Sequence, residues 1–158
     1  MKSVWLAIIG SICLFTPGMA QQQKKDKKAE IKNIVEAQNY VFKAQTALPT
    51  GGSTRQLTSD YDFQVSKDTI VSDLPYFGRA YTAPLNPSEG PLQFTSTKFQ
   101  YTVSNNKKGG WIVNIAPNDV NDPRELIITI FDNGSASVVV NSTNRQPISF
   151  NGYVTSKK

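Results

Sequence analysis

The 158-residue sequence predicts a mainly β protein: one short helix, then an antiparallel meander of about eight to ten strands. Three observations predict it. After residue 39, apolar and polar residues alternate at period two through most of the chain. Short turn signals separate these runs, with Asn105-Asn106-Lys107-Lys108-Gly109-Gly110 and Asp132-Asn133-Gly134 the clearest. No long connection of the Greek-key kind is evident, so consecutive strands are expected to pair. A meander of this length closes into an up-and-down barrel or folds as two packed sheets. The barrel is the preferred reading and a β-sandwich the alternative.

Residues 1–20 read as a secretory signal peptide. Lys2 is the charged start, Val4 to Phe15 the apolar run, and Pro17-Gly18-Met19-Ala20 a small-residue cleavage site before Gln21. The apolar run is too short to span a bilayer, and Ile12 before Cys13 fits a lipidated cysteine poorly. The expected destination is the periplasm or the outer-membrane-associated envelope. Cleavage removes Cys13, the one cysteine, and the sequence contains no histidine. Disulfides, thiol catalysis, Cys/His zinc sites, histidine-ligated haem and Ser-His-Asp triads are thereby excluded, and no cofactor is expected. The remaining 138 residues suit a single domain held by a hydrophobic core.

Residues 21–28 carry Lys24, Lys25, Lys27 and Lys28 and read as a basic, solvated tail, with the domain proper over 29–156. The basic character is a property of that tail, which carries four lysines against Asp26. From Ala44 to Ser156 the chain holds eight basic residues against nine acidic ones, which leaves the body near −1. That balance argues against a nucleic-acid partner and allows at most weak, salt-sensitive contact of the tail with an anionic membrane surface.

Ile31, Ile34, Val35 and Gln38 keep helical spacing and predict a helix over 29–38. Tyr40, Phe42 and Ala44 then alternate, which predicts a first strand over 39–46, with helix continuing to Gln45 as the alternative. Pro49-Thr50-Gly51-Gly52-Ser53 is a loop. Tyr61, Phe63 and Val65 share one strand face, and further strands are expected over 69–74, 77–83 and 92–95, with a Pro/Gly loop over 84–91. Phe99, Tyr101 and Val103 point inward over 98–104, as do Trp111, Val113 and Ile115 over 111–116. Residues 125–131 are apolar on both faces, as for a strand covered twice, once by the helix. Ala136, Val138 and Val140 line one face of the strand over 135–141, and 147–154 is the last strand. That last strand is expected to pair antiparallel with 39–46 and so close a lipocalin-like barrel, with Gly152 permitting a bend or close approach at the seam.

One stretch stands apart. Asp73-Leu74-Pro75-Tyr76-Phe77-Gly78-Arg79-Ala80-Tyr81 packs three aromatic rings, an arginine, a proline and a glycine into nine residues. As a strand it would place Phe77, Arg79 and Tyr81 on one face, with close approach on the Gly78 and Ala80 face. Arg79 reads either as a partly buried brace, paired with Asp73, Asp60 or Asp62, or as part of a ligand platform. Together with Asn144-Arg145-Gln146-Pro147-Ile148-Ser149-Phe150-Asn151-Gly152-Tyr153, this stretch resembles an uncharacterised family of exported proteins from Bacteroidota-type bacteria, catalogued as a domain of unknown function. The resemblance runs from about Ile31 to Val154. It implies no activity.

The candidate ligand-binding residues are Tyr76, Phe77, Arg79, Tyr81, Trp111 and Arg145, with Tyr76, Phe77, Tyr81 and Trp111 expected around a barrel mouth and Arg145 capping the barrel near the helix. Asn118, Asp119, Asn121 and Asp122 form an oxygen-rich run in which Asp119 and Asp122 are weak calcium candidates; no bidentate glutamate sits at the proper distance, and turn formation explains the residue types. Asp60 and Asp62, the carboxylates closest in sequence, read as solvated surface rather than a hydrolase pair. No catalytic residue and no metal are assigned. The expected function is that of a non-catalytic envelope domain that binds a small apolar or glycan ligand at an aromatic barrel end. The alternatives are a structural or protein-docking envelope domain and, as a minor reading, a carboxylate-based hydrolase.

Overall fold

A computed structural model describes residues 18–81 and 92–157. In chain order they form α1 (Gly18–Glu36), β1 (Tyr40–Pro49), β2 (Arg55–Val65), β3 (Ile70–Leu74), β4 (Leu92–Ser96), β5 (Phe99–Asn105), β6 (Trp111–Pro117), β7 (Glu125–Ile130), β8 (Ser135–Asn141) and β9 (Ile148–Ser156). The expected signal peptide lies, but for its last three residues, outside the described residues.

The helix is longer than its apolar periodicity predicts and includes residues 21–28. Lys, Gln, Ala and Glu are good helix formers, and one-turn pairs support them: Lys27 to Glu30 at 3.0 Å and Lys32 to Glu36 at 3.7 Å. Residues 22–30 are exposed on every side, so that half of the helix stands clear of the core. Its last two turns bury Ile31 and Val35 completely, a contribution of roughly 1.5–3 kcal/mol per side chain. A Schellman turn ends it. Gln38 adopts a positive φ of 50°, its amide donates to Val35 O, and the Asn39 amide donates to Ile34 O. The chain is thereby turned into β1, and the alternative of a helix to Gln45 is not realised.

All nine strands lie in one antiparallel sheet in the order β4-β3-β2-β1-β9-β8-β7-β6-β5. The edge strands β4 and β5 are consecutive in sequence and joined only by Thr97 and Lys98, so the sheet curls into a nearly closed barrel. The predicted pairing of first and last strands is present, with Tyr40 opposite Ser156 and Pro49 opposite Ile148. It lies in the middle of the sheet, however, and the seam falls between β4 and β5. A bulge between Ala44 and Thr46 changes the inward parity of β1 from Tyr40, Phe42 and Ala44 to Ala47 and Pro49. Gly152 sits against this bulge, where a Cβ would meet Lys43 O at 1.9 Å. The close approach expected at Gly152 is therefore real.

Inward positions are filled by side chains. Phe42, Phe63, Ile115, Leu126, Ile128 and Phe150 are all fully buried. α1 covers one end of the barrel: Tyr101 Oη donates to Val35 O at 3.2 Å, and Ile31 packs against Gly134 in the β7–β8 turn. Burial raises the phenol pKa of both Tyr101 and its neighbour Tyr40. β7 is buried on one face and half-buried on the other; the helix covers the barrel end rather than the outer face of β7.

At the seam, the Asp119 carboxylate accepts from the Ser96 hydroxyl and from the Thr97 and Lys98 amides, at 2.9 and 3.1 Å. Those donors, the Ser96 hydroxyl first, hold its pKa down at about 2. Asp119 thus fixes the corner that joins the two edge strands.

Candidate functional site

Leu74 ends β3, and Pro75 offers no amide to continue the ladder. Residues 76–81 leave the sheet and cross the barrel end opposite α1, where they dock on the β8–β9 loop. The Tyr81 amide donates to Asn144 O at 2.8 Å, the Gln146 amide donates to Arg79 O at 3.1 Å, and Ala80 bridges Arg145. The strand expected over 77–83 therefore does not form among the described residues, because its backbone partners are a loop rather than a neighbouring strand. The two stretches that carry the family resemblance meet here.

Tyr76 is the pin of this junction. Its hydroxyl lies 2.9 Å from Arg79 O and 3.0 Å from Gln146 O and serves both as a shared donor. Burial raises its pKa, against the opposing effect of the Arg145 charge. The ring turns back under Gly78, where a Cβ would lie 2.4 Å from the Tyr76 hydroxyl. Close approach at Gly78 is as the sequence predicts, and the approaching group is the neighbouring tyrosine.

The buried brace is Arg145 rather than Arg79. Arg145 Nη1 lies 3.1 Å from Asp122 Oδ2, with side chains only 13% and 9% exposed. Asp122 Oδ2 takes no hydrogen bond from a described residue, so the contact is an ion pair. The Arg145 guanidinium also sits over the Tyr76 ring, 5.7 Å from its centroid. Arg79 is exposed, which corrects the expectation of a partly buried brace. Two of the three carboxylates expected to pair with it are engaged elsewhere, Asp62 accepting from Lys43 at 2.8 Å and Asp73 from Gln93 at 2.6 Å, and Asp60 lies on the outer wall of β2. Arg145 also lies at the barrel end opposite the helix, not beside it.

Tyr76, Phe77, Arg79, Tyr81 and Arg145 are thus brought together. Trp111 is not among them. It begins β6 at the α1 end of the barrel and is buried in the core. Asp119 and Asp122, the calcium candidates, serve different partners, at the seam and at Arg145 respectively. Asp60 and Asp62 project from the outer wall of β2, where the Asp62 hydrogen bond raises the Lys43 pKa.

Sequence reasoning missed Arg55 and Arg124. Arg55 opens β2 and lies over the Phe77 ring at 4.9 Å. Arg124 precedes β7, with its amide bonded to Asn141 O. All four arginines of the chain, Arg55, Arg79, Arg124 and Arg145, therefore stand at one barrel end. Lys67, Lys107, Lys108 and the helix lysines occupy the other. The exposed rings of the arginine end are Phe77 and Tyr81, at 37% and 67%. A recess of about 470 Å³ at the β3–β4 edge, lined by Val71, Ser72, Asp73, Gln93, Phe94 and Thr95, is open to solvent and lies below this rim.

A family profile described as a domain of unknown function, DUF4251, matches residues 22–154. The chain belongs to the DUF4251 family. A crystal structure of a DUF4251 family protein from Bacteroides eggerthii DSM 20697 shares 16% identity, with 86% of this chain and 91% of that one covered, at a TM-score of 0.62. At that identity the likeness concerns the fold. No curated protein matches. The DUF4251 match begins nine residues before the start that the motif resemblance implies and takes in the exposed half of α1. No helix among the described residues is long and apolar enough to cross a membrane.

Proposed function

We propose that this DUF4251 chain is an exported, non-catalytic domain of the bacterial cell envelope that binds a ligand on the outer surface of its arginine end, at Arg55, Phe77, Arg79 and Tyr81. One observation carries the reading: exposed rings stand on a backbone that is already fixed. Tyr81 is 67% exposed although its amide is bonded to Asn144. A ring held in place for contact loses little freedom when a partner arrives, and soluble domains rarely keep apolar patches without a use. The filled interior supports a rim site over one inside the barrel. Export is supported by Lys2, the apolar run to Phe15 and the Pro17–Ala20 cleavage pattern.

Binding is tested by screening immobilised envelope and host polysaccharides with the parent and a Phe77→Ala, Tyr81→Ala variant. The parent should be retained, and the variant should lose retention at an unchanged melting temperature; equal retention of both refutes the site. Intact mass of the envelope form should start at Gln21, and a diacylated Cys13 species overturns that cleavage.

A second reading, an envelope domain that docks another protein, is favoured by β5. This edge strand carries no charged residue and exposes Val103, the conditions under which strand addition occurs. Loss of a captured partner on Val103→Lys, with glycan binding absent, would select it.

A further inference from the structure

We infer that the ligand of the arginine end is an acidic glycan, a chain of sugar rings bearing carboxylate or sulfate groups; this rests on the binding reading above. Four arginines from four separate parts of the sequence converge on one rim, while Lys67, Lys107, Lys108 and the helix lysines stand at the opposite end, Lys43 is paired with Asp62 on the wall, and Lys98 lies at the seam. Surface charge placed only for solubility has no reason to bring every arginine to one end. Arginine is the one whose planar fork matches an oxyanion with two parallel hydrogen bonds. Arg145 is matched by Asp122 and braces the scaffold. Arg55, Arg79 and Arg124 are exposed and form no salt bridge with a described residue.

Rings complete the pattern. Arg55 covers one face of Phe77, so the open platform is Tyr81. A sugar ring laid on that platform would carry its acidic substituents toward Arg79 and Arg55. The guanidinium groups come from three different segments and are exposed, so repeated charges along an extended ligand fit them better than one small ion does. Nucleic acid is the other ring-bearing polyanion. It calls for a positive groove with several stacking platforms in succession. This end offers one open ring, with Asp122 and Glu125 on the same rim and a body charge near −1.

The test is calorimetric titration of the full exported chain with three oligosaccharides of equal length, an oligogalacturonate, a heparin fragment and a neutral malto-oligosaccharide, and with a single-stranded DNA oligomer. At least one acidic sugar should bind, the neutral one should not, and added salt should weaken binding. Arg79→Gln and Arg55→Gln should each reduce affinity by about tenfold, with melting temperatures unchanged because both side chains are exposed. Lys24→Gln with Lys25→Gln should leave affinity alone. Equal binding of the neutral sugar, lost on Tyr81→Ala but not on either arginine change, overturns the acidic class and leaves the binding site standing. Tighter binding of DNA than of either acidic sugar overturns the glycan class. Acidic-sugar binding lost with the lysines instead of the arginines overturns the site. Failure of every sugar, acidic and neutral, to bind overturns both this inference and the binding reading beneath it.

Discussion

Substituting Arg145 should loosen the arginine end before the barrel. Two unit charges 3.1 Å apart attract by about 5 kcal/mol at an effective dielectric near 20. Removing one partner from a buried pair costs roughly 3–5 kcal/mol. Since Arg145 keeps 13% exposure and Asp122 9%, the lower end applies, about 3 kcal/mol. In a domain of this size each kcal/mol moves the melting temperature by about 2–4 °C, so Arg145→Gln should melt about 6–12 °C below the parent. Arg145 makes contacts besides Asp122, so the pair itself is isolated by a double-mutant cycle with Asp122→Asn, where the double variant should lose less than the two single losses together. Amide exchange provides a second readout: Tyr81 and Gln146, whose amides join the two segments, should lose protection before the β1–β9 ladder does. Melting of Arg145→Gln within about 2 °C of the parent, or strictly additive losses, would refute the assignment of Arg145 as the brace.

Gly78→Ala should place a methyl group 2.4 Å from the Tyr76 hydroxyl, displace it from Arg79 O and Gln146 O, and destabilise by about 1–3 kcal/mol for the lost hydrogen bonds; thermal melting with exchange at residues 79–81 checks it. Asp119→Asn should expose a pH signature at the seam. The Asp119 pKa is lowered from 3.8 to about 2 in the folded chain, so its contribution is fully present above about pH 4 and is lost as pH falls through about 2. The melting difference between parent and variant should therefore be constant above about pH 4 and shrink below it, and a flat difference down to about pH 2 would remove Asp119 from the corner. Gly152→Ala should force the β1 bulge open, because its Cβ would lie 1.9 Å from backbone Lys43 O; a loss of at least about 2 kcal/mol is expected in denaturant melts, with exchange rising first at Lys43 and Ala44.

By itself the sequence determined the class of fold, the order of the strands and the pairing of the first with the last. Period-two alternation, turn residues and the helical spacing of Ile31 and Val35 are local properties, readable from neighbours along the chain. It also marked residues 73–81 and 144–153 as unusual, and the glycines at 78 and 152 as points of close approach. Tertiary structure decided what could not be local. One miss was local all the same: helix over residues 18–28 follows from propensity and one-turn pairs such as Gln22 with Asp26 and Lys27 with Glu30, which apolar periodicity does not register. The end of that helix rests on Gln38 taking a backbone conformation that the residue type does not announce. The seam fell at β4–β5 rather than β1–β9 because sheet curvature, not hydrophobic pattern, sets where edges meet. Arg145 became the brace and Arg79 the exposed cation because Asp122, 23 residues before Arg145, folds beneath one and not the other. Trp111 looked like a companion of Tyr81 by residue type, but strand direction carried it to the far end of the barrel. Arg55 met Phe77 only because the chain leaves β3 after Leu74 and crosses the barrel end where β2 begins. Charge partners are chosen by distance in space, and only the closed sheet sets those distances.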